Sequence, residues 1–68
     1  MRNGDTVTVN EHNGEYLARI LSTDEFEDQD GNQLFGVKVV ELMDPPEYSL
    51  EEGETCNVYP SDCSPSPD

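Results

Sequence analysis

The groups that could do chemistry in this chain are unevenly stocked: one histidine, two cysteines and sixteen acids stand against three bases. His12 adjoins Asn13-Gly14, a pair that reads as a hairpin turn, so the only imidazole is expected in solvent. Nucleophilic catalysis needs a base beside the serine or cysteine it activates, and nothing in the pattern sets His12 there. Cys56 and Cys63 have six residues between them. Paired, they would stabilise the fold by about 2.5 kcal/mol through loop closure; in a reducing compartment they stay free thiols. Their spacing is not that of a zinc site, which would also want more than one histidine. Carboxylates abound, but acid–base work needs one of them desolvated so that its pKa rises, and acids in polar loops stay wet. There is no glycine-rich phosphate cradle. The inventory points to a protein that is not an enzyme and uses no cofactor.

Calcium is a more specific question. Asp28-Gln29-Asp30-Gly31 matches positions three to six of an EF-hand loop, yet position one would be Phe26 and position twelve Val37, neither of which ligates. Two readings stay open: an irregular divalent site at Asp24, Glu27, Asp28 and Asp30, or a plain turn at Asp30-Gly31-Asn32.

The formal net charge of −13 is the dominant feature. Binding nucleic acid directly requires lysine and arginine to displace counterions from phosphates, and only Arg2, Arg19 and Lys38 are present. The same argument excludes anionic membrane surfaces, whereas a basic protein surface would be attracted and steered in. The acids form two groups. One is Asp24, Glu25, Glu27, Asp28 and Asp30; the other is Glu41, Asp44, Glu47, Glu51, Glu52 and Glu54. Phe26 and Tyr48 are embedded among them and are the expected apolar anchors of a partner-binding surface, since interface energy concentrates in such residues; Phe26 could equally cap the end of the core. Acids two apart along a strand are about 6–7 Å apart, roughly the spacing of phosphates on a single strand. This suggests mimicry of nucleic acid in the groove of an enzyme. Solubility and halophilic adaptation would also favour an acidic, lysine-poor surface.

The elements that must carry these groups read as strands. With 68 residues there is room for one thin core, covering about 60% of the unfolded surface. Thr6-Val7-Thr8-Val9 alternates, with Val7 and Val9 inward. Asn13-Gly14 supplies the two positive-φ positions of a tight hairpin. In the strand from Glu15 to Thr23, Tyr16, Ala18 and Ile20 share one face and Leu17, Arg19 and Leu21 the other, so a bend that switches faces is expected. Residues 24–32 read as a charged loop. A third strand spans residues 33–42, with Phe35, Val37 and Val39 on one side, Leu34, Val40 and Leu42 on the other, and a bulge or sharp coil at Gly36. Pro45-Pro46 ends it. A short strand at residues 55–59 places Cys56 and Val58 together, Pro60-Ser61-Asp62 reads as a single 3₁₀ turn, and Ser64-Pro65-Ser66-Pro67-Asp68 as an unpacked tail. No run of about 20 apolar residues could cross a bilayer, and the first residues lack the apolar stretch of a secretory signal, so a cytoplasmic protein is expected.

Four or five short strands with hairpin turns predict an all-β fold, a small antiparallel barrel over residues 1–63 followed by a disordered tail at 64–68. Gly4-Asp5-Thr6-Val7-Thr8-Val9 followed by Gly14-Glu15-Tyr16-Leu17-Ala18-Arg19-Ile20-Leu21 resembles the opening of SH3-like barrels of the Tudor and Agenet sort, and Val58-Tyr59-Pro60-Ser61-Asp62 is similar to their last strand and 3₁₀ turn. In the Tudor readers that resemblance implies an aromatic cage for a methylated cation. This chain has no tryptophan and five aromatic residues in all, leaving only Phe26, Tyr48 and Tyr59 for a cage, so the reading function is not carried over. In size and charge the chain is similar in style to phage-encoded anti-restriction and anti-CRISPR inhibitors. The alternatives are an SH3-like assembly module, docking through positions such as Tyr48 or Leu50, and a halophilic housekeeping domain.

Overall fold

The computed structural model describes residues 1–46 and 49–66. It is all-β: β1 (Thr6–Glu11), β2 (Gly14–Glu27), β3 (Gln33–Asp44), β4 (Thr55–Val58), a 3₁₀ turn (Pro60–Asp62) and β5 (Cys63–Pro65). The strands form one antiparallel sheet in the order β4-β3-β2-β1-β5. The sheet does not close into the expected barrel. β4 and β5 remain its two edges, and no pairing joins them among the described residues.

The alternation on β1 holds, with Val7 and Val9 fully buried. On β2, Tyr16, Ala18, Ile20 and Ser22 all point inward. The expected change of face therefore does not occur before Ser22, and Leu21 stays 48% exposed. These side chains pack with Val37, Val39 and Val58, and Leu50 closes the core from the β3–β4 connection. Each fully buried aliphatic side chain contributes about 1.5–3 kcal/mol.

The first turn lies one residue earlier than Asn13-Gly14. Glu11 pairs with Gly14, and the two turn residues are His12 (φ 49°) and Asn13 (φ 62°), both types that tolerate the left-handed region. Gly14 is needed inside the strand instead. A Cβ there would stand 2.4 Å from the Cα and N of Pro46 and 2.7 Å from the carbonyl oxygen of Asp44, so the crossing of the β3–β4 connection requires a glycine.

Residues 24–27 are not loop but the continuation of β2. Between the pairs Ser22↔Gly36 and Phe26↔Leu34 the longer strand carries three intervening residues against one, a wide bulge. The buried Ser22 hydroxyl holds it by accepting the amides of Asp24 and Glu25 at 3.4 and 3.2 Å. The bulge folds Phe26 onto Gly36, where a Cβ would meet the ring at 2.7 Å. β3 runs two residues past its expected end, to Asp44. The C-terminal segment also departs from expectation. Rather than fraying from Ser64, β5 pairs Val7↔Pro65, Thr8↔Ser64 and Val9↔Cys63, because the outer edge of β1 is otherwise unpaired. Pro67 and Asp68 lie outside the described residues.

Candidate functional site: an acidic cleft beside Tyr59

The β1–β2 hairpin, the end of β3 and the chain leaving β4 enclose an open cleft of about 740 Å³. Glu11, Glu15, Asp44 and Asp62 contribute carboxylates, and His12 and Tyr59 lie on the rim. None of Arg2, Arg19 or Lys38 lines it. Arg19 and Lys38 are instead Cα partners midway along β2 and β3. Glu15 and Asp44 are also direct Cα partners. Like charges opposed across a ladder are destabilising, so this end of the sheet concentrates negative charge at a cost to the fold.

Glu11 is oriented from below. The buried Tyr16 hydroxyl donates to its Oε1 at 2.6 Å and lies 3.6 Å from Cys56 Sγ. Tyr59, 46% exposed, ties the far end of β2 to the same side of the molecule by donating its hydroxyl to Asp28 Oδ2 at 3.0 Å. Asp28 also accepts the amides of Asp30 and Asn32 at 2.9 and 2.8 Å and the Asn32 side-chain amide at 3.1 Å. The Asn32 backbone and side-chain donors are the chief reason its carboxyl lies below the usual value, with Tyr59 and the Asp30 amide adding to it. The Tyr59 hydroxyl is pushed up, first by its bond to Asp28 and then by the charges of Asp28, Asp30 and Asp62.

Both cysteines are free. Burial raises Cys56, with Glu11 and Glu54 adding to it and the Tyr16 contact opposing. Burial pushes Cys63 up to about 11, reinforced by Asp62, Glu11 and Cys56. Thiols held protonated in this way are poor nucleophiles.

Of the residues singled out from sequence, Asp44 lines the cleft, and Asp28 and Asp30 join its margin through Tyr59. Asp24, Glu25, Phe26 and Glu27 sit further along β2, near a second groove. Glu51, Glu52 and Glu54 occupy the β3–β4 connection, where Glu52 accepts the Leu42 amide at 3.3 Å and the Glu54 amide bonds to the Glu51 carbonyl at 3.2 Å. Glu47 and Tyr48 lie outside the described residues. The divalent reading loses its geometry: among the described residues no three His, Cys, Asp or Glu side chains could together hold an ion, and both Asp28 oxygens already accept hydrogen bonds. Tyr59, one of the three aromatics left over for a cage that was not expected, is bonded to Asp28. Glu11, Glu15 and Asp62 were missed. The available signal was an acid on each side of the His12-Asn13 turn, but the convergence of Asp44 and Asp62 upon it depends on long-range pairing.

Among the described residues no helix is long and apolar enough to cross a membrane. No protein-family model, curated protein or solved structure matches the chain.

Proposed function

We propose that this protein is an acidic binding module whose cleft beside Tyr59 engages a basic protein surface, in the manner of a nucleic-acid mimic occupying the groove of a nucleic-acid-handling enzyme in the cytoplasm. One observation carries the reading: four carboxylates, two of them directly opposed across the sheet, line a concave surface to which no lysine or arginine contributes. A low-dielectric wall lined by one sign of charge focuses the field and accelerates encounter with the opposite sign.

The strand order, with a 3₁₀ turn ahead of the last strand, supports an SH3-like scaffold left open at its edges. The assembly-module alternative loses one of its docking positions, since Leu50 is 8% exposed and belongs to the core.

Charge reversal tests the reading. The residues to change are Glu15, Asp44 and Asp62, because reversing Asp28 would dismantle the turn that it organises. Immobilised protein should retain partners from its native cells at low salt and release them along a salt gradient. The E15K/D44K/D62K variant should retain none, and wild-type protein should displace labelled nucleic acid from the retained partner. Retention indifferent to salt and to the triple reversal would overturn the proposal.

A further inference from the structure

We infer that a second groove, between Phe26 and β4, docks an extended basic segment of a partner protein and seats one of its apolar side chains. The inference rests on the partner being basic, as proposed above, and adds where it is anchored. The groove, about 400 Å³, is bordered by Leu21, Glu25 and Phe26 and floored by Gly36 and Cys56. Leu21 is 48% and Phe26 38% exposed, so two large apolar side chains stand in water at one recess. The Phe26 ring packs onto Gly36, where a Cβ would meet it at 2.7 Å, so the glycine is what lets this wall of the groove sit where it does.

Three observations select the occupant. β4 contributes three consecutive residues, Thr55, Cys56 and Asn57, to the wall facing Leu21 and Phe26 of β2 across β3, so the recess lies between two strands and admits an extended segment. Glu25 lines the groove, Asp24 and Glu27 flank it along β2, and Glu54 precedes β4; a second copy of the chain, itself at −13, would bring like charges together, whereas lysine or arginine would be attracted. Asn57 lines both this groove and the acidic cleft, so a segment running along β4 passes from one to the other. Because alternate residues of a strand share a face, the fitting pattern is an apolar residue with bases two positions to either side.

The test uses the full chain, labelled with ¹⁵N, and three nine-residue synthetic peptides. The first alternates lysine and serine around a central leucine, the second has glycine at the centre, and the third keeps the leucine but replaces the lysines by serine. The lysine–leucine peptide should shift the amides of Leu21, Phe26, Gly36 and residues 55–57, and bind roughly tenfold tighter than the glycine peptide, as expected for a seated apolar anchor. Leu21→Asp, at an exposed position, and Phe26→Ala should each erase that preference. Equal binding of the leucine and glycine peptides, with shifts confined to the surroundings of Tyr59 and Asp62, would overturn the groove and leave the acidic cleft standing. Absence of binding by either lysine peptide would overturn both. Equal affinity for the serine–leucine peptide would overturn the basic occupant, and groove shifts that depend on protein concentration alone would replace it with a second copy.

Discussion

At the scale of single residues, the acids divide into those that organise the fold and those that only charge it. Asp28 belongs to the first kind. Its two oxygens accept from Asp30, Asn32 and Tyr59, and its carboxyl is held below the ordinary 3.8. A folded-state pKa lower than the unfolded one stabilises the protein above the unfolded value, and this benefit is lost as pH falls through the folded value. General relief of charge repulsion on acidification has the opposite sign, so the local effect is visible only as a difference between variants. Asp28→Asn should therefore lower the urea midpoint at pH 7 relative to Glu27→Gln, which removes one charge from an exposed strand position. The gap should narrow as pH is taken below 3.8. A gap that stays constant from pH 7 to pH 2.5 would mean that the carboxylate charge is not what the turn uses. The difference between the two kinds of acid was not legible in the sequence, because the run from Asp24 to Asp30 looks uniform until the Ser22 bulge and the Tyr59 hydroxyl assign its members different partners.

At the scale of elements, period-two alternation found the inward faces of β1 and of β2 as far as Ile20, and Val37 and Val39 on β3, because a single buried face imposes that period. It failed where the backbone departs from the period. The two-versus-one pairings along β2 and β3, near Leu21, Val40 and Met43, come from strands that must coil over a small core, and no local residue type announces them. Gly14 is a similar case: its type suits a turn, yet it is set by the approach of Pro46 from a distant segment. The last strand is the most consequential miss. A segment rich in serine and proline reads as tail because nothing in it can pack, but an edge strand needs only backbone groups and a free neighbour. Ser64 and Pro65 pair with β1, and the Ser66 amide reaches the Thr6 carbonyl at 3.4 Å. With a net contribution of about 0.5–1.5 kcal/mol per hydrogen bond, losing this edge should cost about 1–3 kcal/mol. Ending the chain at Cys63 should lower its unfolding free energy by that amount relative to a chain ending at Ser66, as read by urea denaturation. Equal stability would return these residues to the status of a tail.

At the scale of the whole molecule, the net charge of −13 is confined to a body of 29 × 25 × 19 Å, and those lengths decide how salt must act on it. The screening length is about 30 Å at 0.01 M ionic strength and about 8 Å at 0.15 M. In dilute buffer every carboxylate therefore feels all the others, and the compact state is destabilised by self-repulsion. Near 0.15 M only neighbours such as Glu15 and Asp44, or Asp28, Asp30 and Asp62 around Tyr59, still interact. The melting temperature should accordingly rise steeply between 0.01 and 0.15 M sodium chloride and then level off, since further salt has only local repulsion left to screen. The E15K/D44K/D62K variant moves the formal charge from −13 to −7, each reversal removing a negative and adding a positive charge, and should show a visibly shallower rise. A halophilic surface, whose carboxylates act by organising water and ions, would behave differently: stability would keep climbing into the molar range, and folding would be lost rather than weakened at 0.01 M. Calorimetric melts across that range separate the two origins of acidity. A plateau assigns the salt response to long-range repulsion and rules out halophilic solvation as the origin of the acidity, whereas a continued climb assigns it to solvation and removes the reason to expect a partner.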